Sequence, residues 1–168
     1  RKLKNLAKVL QRAGSPDRSV SLLEEALEIF KKTMGRTSPE YATAAHNLGV
    51  AYWKSGKGET GFRHLKAAAA IREKVLGKNH PRYAESQLKI AEYLWHKKQA
   101  REARQSFGEV FRNYYFQIDE TFPVLTEEEK TKFYYTNIRD AFDKFNSFAL
   151  TQQDPQVEPL SDVYDYLI

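Results

Sequence analysis

The side chains best suited to chemistry are four histidines, His46, His64, His80 and His96, and a run of carboxylates, Glu127 to Glu129. Neither set has the spacing that catalysis or metal binding requires. No two histidines stand in a His-Glu-x-x-His pattern or another ligand spacing. No cysteine is present to supply a thiolate nucleophile, a disulfide or a sulfur ligand for zinc. Nucleophilic catalysis needs an activated nucleophile, a base within hydrogen-bond reach and an oxyanion donor, and the sequence does not assemble them. His80 precedes Pro81 and reads as a turn and cap residue. His96 follows Trp95 near a helix end, where the macrodipole favours a cation, and the three glutamates fit a helix's first turn for the same electrostatic reason. The expectation is a chain that is not an enzyme, with no catalytic residue, no metal site and no cofactor, whose chemistry is recognition.

Recognition needs a frame, and the frame is visible in residues matched 42 apart: Gly14 with Gly56, Gly35 with Gly77, Pro39 with Pro81, Tyr41 with Tyr83 and Trp53 with Trp95. Self-similarity at a fixed period marks stacked copies of one unit. Within a copy, Leu48, Ala51 and Tyr52, then Leu65, Ala68 and Ile71, recur at three and four, so each unit is a pair of helices joined by a short turn. Ser15-Pro16, Ser38-Pro39 and His80-Pro81 put proline at the first helical position, and Gly35 and Gly77 stand where a helix ends in a left-handed residue. Gly49 and Gly61, with Ala7 and Ala91 equivalent to Gly49, lie where helix backbones must approach closely. The ordinary alternative, a helical bundle without repeats, leaves this register unexplained.

Composition agrees with a folded, mixed-charge chain. Its 168 residues hold 41% hydrophobic side chains, enough for a packed core. The 27 basic residues are interleaved with 22 acidic ones, so the net charge of +5 gives no run that argues for nucleic acid. No stretch approaches the roughly 18 apolar residues of a membrane span, and no signal-peptide pattern is present. The expected partner is a protein or peptide, with no small-molecule substrate, nucleic acid or membrane, in a cytoplasmic setting.

The strings Asn47-Leu48-Gly49-Val50-Ala51-Tyr52, Gly56 and Ala70-Ile71-Arg72-Glu73-Lys74-Val75-Leu76-Gly77-Lys78-Asn79-His80-Pro81 resemble the tetratricopeptide repeat (TPR), in the lengthened variety of kinesin light chains. That resemblance implies an all-α fold, an α-solenoid of TPR helix hairpins. Three copies cover residues 1–120, the first lacking the start of its first helix and the third carrying Lys98 where Gly56 stood. The usual period is about 34, so the extra residues should lengthen the helices and linker. In this family the first helix of each pair lines the concave side. That mapping selects Lys4, Asn5, Lys8 and Gln11, then Thr43, His46, Asn47, Val50 and Trp53, then Glu85, Leu88, Lys89, Glu92 and Trp95 as a peptide-binding groove. Lys4, Lys8, Asn47 and Lys89 are similar to positions that clamp a peptide carboxylate in chaperone-binding members, whereas Glu85 and Glu92 depart from that pattern. Charge-assisted hydrogen bonds from these groups would favour an acidic ligand, and the tryptophans would add apolar anchors. The competing reading packs Trp53 and Trp95 between repeats and leaves the lysines solvated.

Beyond the repeats, Phe122-Pro123 stops a helix and Thr126-Glu127-Glu128-Glu129 forms a capping box for the next. A long helix should follow, its aromatic stripe (Phe133, Tyr134, Phe142, Phe145 and Phe148) covering the open end of the solenoid. The segment 121–150 is thus expected as connector and capping helix, and 151–168 as a linker and the start of an interrupted element. Phe122-Pro123-Val124-Leu125-Thr126 with Phe145-Asn146-Ser147-Phe148-Ala149-Leu150 also resembles the connector of bacterial proteins that join TPRs to a caspase-like CHAT domain. The closing Val163-Tyr164-Asp165-Tyr166-Leu167 is similar to the helix leading into that peptidase. This implies a regulatory or recognition arm, with the histidine and cysteine pair of the peptidase lying elsewhere. The alternative is a stand-alone adaptor similar to kinesin light chain.

Overall fold

The computed structural model describes residues 16–152. They form α1 (Pro16–Met34), α2 (Pro39–Lys54), α3 (Gly58–Leu76), α4 (Pro81–His96) and α5 (Ala100–Thr121). A 3-10 turn (Phe122–Val124), α6 (Glu127–Phe133), a π turn (Tyr134–Ile138) and α7 (Arg139–Gln152) complete the order, with no strand among the described residues. The architecture is the expected all-α solenoid: α2 pairs with α3, α4 with α5, and α1 packs on α2.

Local chemistry sets the boundaries. Ser38 Oγ accepts the Tyr41 N–H at 3.1 Å and caps α2, and Pro39 follows at a position whose missing N–H has no intrahelical partner. One repeat later, His80 Nδ1 takes the same role by accepting the Arg82 N–H at 3.1 Å. Between paired helices the chain turns through a left-handed residue, Gly56 at φ +83°. Its counterpart Lys98 holds φ +59° despite its side chain, a conformation that costs an L-residue about 1 kcal/mol. Thr126 caps α6 as the sequence foretells, its Oγ1 accepting the Glu129 N–H while the Glu129 carboxylate accepts the Thr126 N–H at 2.9 Å.

Packing explains the small residues. A Cβ placed on Gly61 would lie 2.5 Å from the Gly49 carbonyl oxygen, so α2 and α3 touch backbone to backbone. Two buried clusters follow one another along the solenoid. The first joins Val20, Leu23 and Leu27 of α1 to Ala44, Leu48 and Ala51 of α2 and Ala68 of α3. The second runs from Leu65 through α4 and α5 to Phe142, Phe145 and Phe148 of α7. The linker before α4 is gripped from α5: buried Asn113 donates to the Lys78 carbonyl at 2.5 Å and the His80 carbonyl at 3.2 Å.

The helix expected after Thr126 is present with an interruption: α6 passes into α7 through the π turn at Tyr134–Ile138. A π turn takes in one extra residue. Here Tyr135 faces out while Ile138, Ala141 and Phe142 are buried. The capping stripe therefore belongs chiefly to α7, whose rings meet Phe107 and Phe111 of α5 edge-on or tilted at 5.3 to 5.9 Å.

Candidate functional site

The first-helix face selected from the sequence divides into three groups. Thr43 and His46 lie between α2 and α4. Thr43 Oγ1 donates to the Pro39 carbonyl at 2.7 Å and accepts from Arg82 Nη1 at 3.1 Å. His46, 3% exposed, has Nδ1 at 3.2 Å from Ser86 Oγ and Nε2 at 3.6 Å from Glu85. The same contact holds Arg72 of α3, 1% exposed, whose Nη1 donates to Ser86 Oγ at 2.6 Å and the Arg82 carbonyl at 2.7 Å and faces Glu85 at 3.2 Å. Burial lowers the Arg72 pKa and Glu85 partly restores it; a guanidinium stays charged regardless. This network bolts α2, α3 and α4 together, with Glu85 half-exposed at its rim.

The second group is the middle of α2. Asn47 is partly buried, and its Nδ2 is enclosed without a hydrogen-bond partner. Val50, one turn on, packs at the margin of the second core cluster. Trp53 meets Tyr93 edge-on at 5.6 Å and His96 at 6.4 Å, so its ring spans α2 and α4.

The third group ties α4 to α7. Glu92 is held between Lys89 and Lys144, each at 2.8 Å, and Lys144 also reaches Asp140 at 2.5 Å. Burial works against the Lys144 cation, but hydrogen bonds to Asp140 and Glu92 outweigh it and raise its pKa. Trp95 packs edge-on against Phe148 at 6.0 Å, and its Nε1 donates to Thr151 Oγ1 at 3.2 Å. Leu88 is buried in the core. Lys4, Asn5, Lys8 and Gln11 lie outside the described residues.

Sequence reasoning missed Arg72, Ser86 and Lys144. Arg72 was detectable in principle, because it continues the inward stripe Leu65, Ala68, Ala69 at helical spacing. Lys144 was not, since only the docking of α7 brings it to Glu92. Among the described residues, no three histidines or acids are grouped to hold a metal, and no helix is long and apolar enough to cross a membrane.

Comparison with known proteins adds the family. A family model described as tetratricopeptide repeat matches residues 1–57 and 44–115. No curated protein sequence matches the chain. Among solved structures, BtubC (BKLC) from P. vanneervenii superposes with a TM-score of 0.70 at 17% identity, over 88% of this chain and 53% of its own. This chain thus spans about half of that protein's length. A kinesin-light-chain-like protein of Podosopora anserina, with nearly identical TPR-like repeats, gives a TM-score of 0.64 at 22% identity, over 90% of this chain and 74% of its own. A point-substituted form of that protein gives the same TM-score and identity, over 73% of its own length. At these identities the likeness is one of fold.

Proposed function

The chain belongs to the tetratricopeptide repeat family, and from that premise we propose that its first-helix face holds an extended peptide or partner segment. TPRs generally mediate protein–protein interaction and are typically non-catalytic scaffolds. The observation that carries the proposal is the Asn47 amide, a donor enclosed on α2 with no acceptor of its own. Such a donor costs about 1–3 kcal/mol, and because the atom is closed to solvent, a rotation of the Asn47 side chain is needed for the backbone carbonyl of a bound peptide to recover it. Val50 and Trp53 of α2 and Trp95 of α4 supply apolar anchors, and Glu85 at the rim, half-exposed, is already paired with Arg72. The preference for acidic ligands rests on Lys4 and Lys8, because the Lys89 ammonium is already countered by Glu92.

The connector resemblance of 122–150 supports a place for this module as the recognition arm of a bacterial, cytoplasmic caspase-like CHAT protein. The likeness to kinesin-light-chain-like repeats supports a second reading, an adaptor that tethers partners without an attached peptidase. Both use the same face. A domain with a histidine and cysteine dyad in the same polypeptide would favour the first, and further repeats the second. The face is tested on a peptide array with the wild type, Lys4→Ala, Asn47→Ala, Lys89→Ala and Trp95→Ala. Asn47→Ala should lose about tenfold in affinity, and an array pattern unchanged across all four variants would overturn the proposal.

A further inference from the structure

Where α1 ends and α2 and α4 begin, the linkers leave a cleft of about 520 Å³, within the range of sites for small molecules and short peptides. Its apolar wall comes from Phe30 and Met34 of α1, Pro39 of α2 and Leu76 of α3. Met34 is 55% exposed there. The charges of the cleft stand on facing helices: Glu40 in the first turn of α2 and Arg82 in the first turn of α4. These positions are 42 apart, so successive repeats carry opposite charge at one site of the fold. Arg82 is held across the gap by its Nη1 bond to Thr43 at 3.1 Å, and neither it nor Glu40 makes an ion pair among the described residues. His80 completes the lining. Burial and the neighbouring Arg82 and Arg72 lower its pKa, so at neutral pH it adds no charge.

We propose that this cleft is a second recognition site for an extended mixed-charge peptide. An apolar side chain enters between Met34 and Leu76 while a basic and an acidic residue pair with Glu40 and Arg82. Packed helices stand about 8–10 Å apart, a distance spanned by about three residues of extended chain, which sets the spacing of the two ligand charges. The cleft lies at the opposite end of α2 from Trp53 and functions independently of the Asn47 face. Opposed charges at a rim give selectivity more than affinity, so the signature is a preference among peptides.

The probes are short synthetic peptides with a central leucine flanked by lysine and glutamate about three residues apart, with analogues carrying lysine at both or glutamate at both flanks. Binding is read by fluorescence anisotropy. The wild type should favour the mixed peptide by about tenfold. Glu40→Arg should shift the preference to the all-glutamate analogue and Arg82→Glu to the all-lysine one. Both charged side chains are exposed, and thermal melts check that each variant remains folded. The same ranking in the wild type and both charge variants, or no binding by the wild type, would overturn the proposal. Displacement of the mixed peptide by a free zwitterionic amino acid would overturn the peptide assignment in favour of a small ligand.

Discussion

His80 does for α4 what Ser38 does for α2, but with a group that titrates. Its Nδ1 must be unprotonated to accept the Arg82 N–H, and burial, Arg82 and Arg72 all depress its pKa. The folded state therefore takes up the proton less readily than the unfolded chain, whose histidine titrates near about 6.5. The stabilisation is complete above that value and is lost as pH falls through it toward the lower folded-state value. His64 shifts the same way, by burial that the Glu24 charge only partly offsets, so acid sensitivity is shared between them. Replacing His80→Ser, the residue of the preceding repeat, should preserve the cap and shrink the loss of stability on acidification. His80→Ala should cost up to about 1 kcal/mol at neutral pH. Denaturant titrations across the acid range check both, and an unaltered pH slope in His80→Ser would show that His64 alone carries the effect. The cap position was legible because a proline follows it. Its grip by Asn113 was not, since that contact is made from a helix 33 residues onward.

At the scale of helices, the tight approach of α2 to α3 is also the contact that the sequence announced most plainly. Gly49 and Gly61 bring the two into backbone contact, and a methyl on Gly61 would meet carbonyl oxygen at 2.5 Å and the Trp53 nitrogen at 3.0 Å. The corresponding crossing of α4 and α5 uses Ala91 and Ala103, both wholly buried. Two hairpins of one repeat pattern thus differ in the residues that set how near their helices lie. Gly61→Ala should destabilise by about 1–3 kcal/mol through overpacking, despite the better helix propensity of alanine. A thermal melt at or above the wild-type midpoint would mean that α2 and α3 separate readily. Helix existence, pairing and caps could be read from spacing because each depends on neighbours in sequence. The π turn and the Glu92–Lys144 pair could not, because each is settled by where α7 docks on α4 and α5. The same holds for Thr43 and His46: the family resemblance groups them with Asn47 and Val50 on α2, but contacts with the neighbouring repeat bury both.

The described residues are held by two buried clusters in series instead of one centre. That arrangement makes stability a sum of local terms and neighbour contacts. Phe145 is the natural place to test it, since its ring touches Phe107 and Phe111 of α5 at 5.4 and 5.3 Å and Phe148 within α7 at 6.0 Å. Phe145→Ala should cost about 3–5 kcal/mol, and the cost should fall unevenly. Hydrogen exchange should lose protection in α5 and α7 first, because their apolar faces share that cluster, while α1 and the outer face of α2 retain theirs. Uncovering Phe107 and Phe111 should also promote self-association, visible by light scattering as a rising mass with concentration. If protection falls equally from α1 to α7, the two clusters unfold as one unit and the serial picture fails. The outcome bears on recognition as well, because Trp95 reaches α7 through Phe148 and Thr151. A loosened cap should weaken ligands that depend on Trp95, at the end of α4, while sparing those that depend on Glu40 and Arg82 in the first turns of α2 and α4.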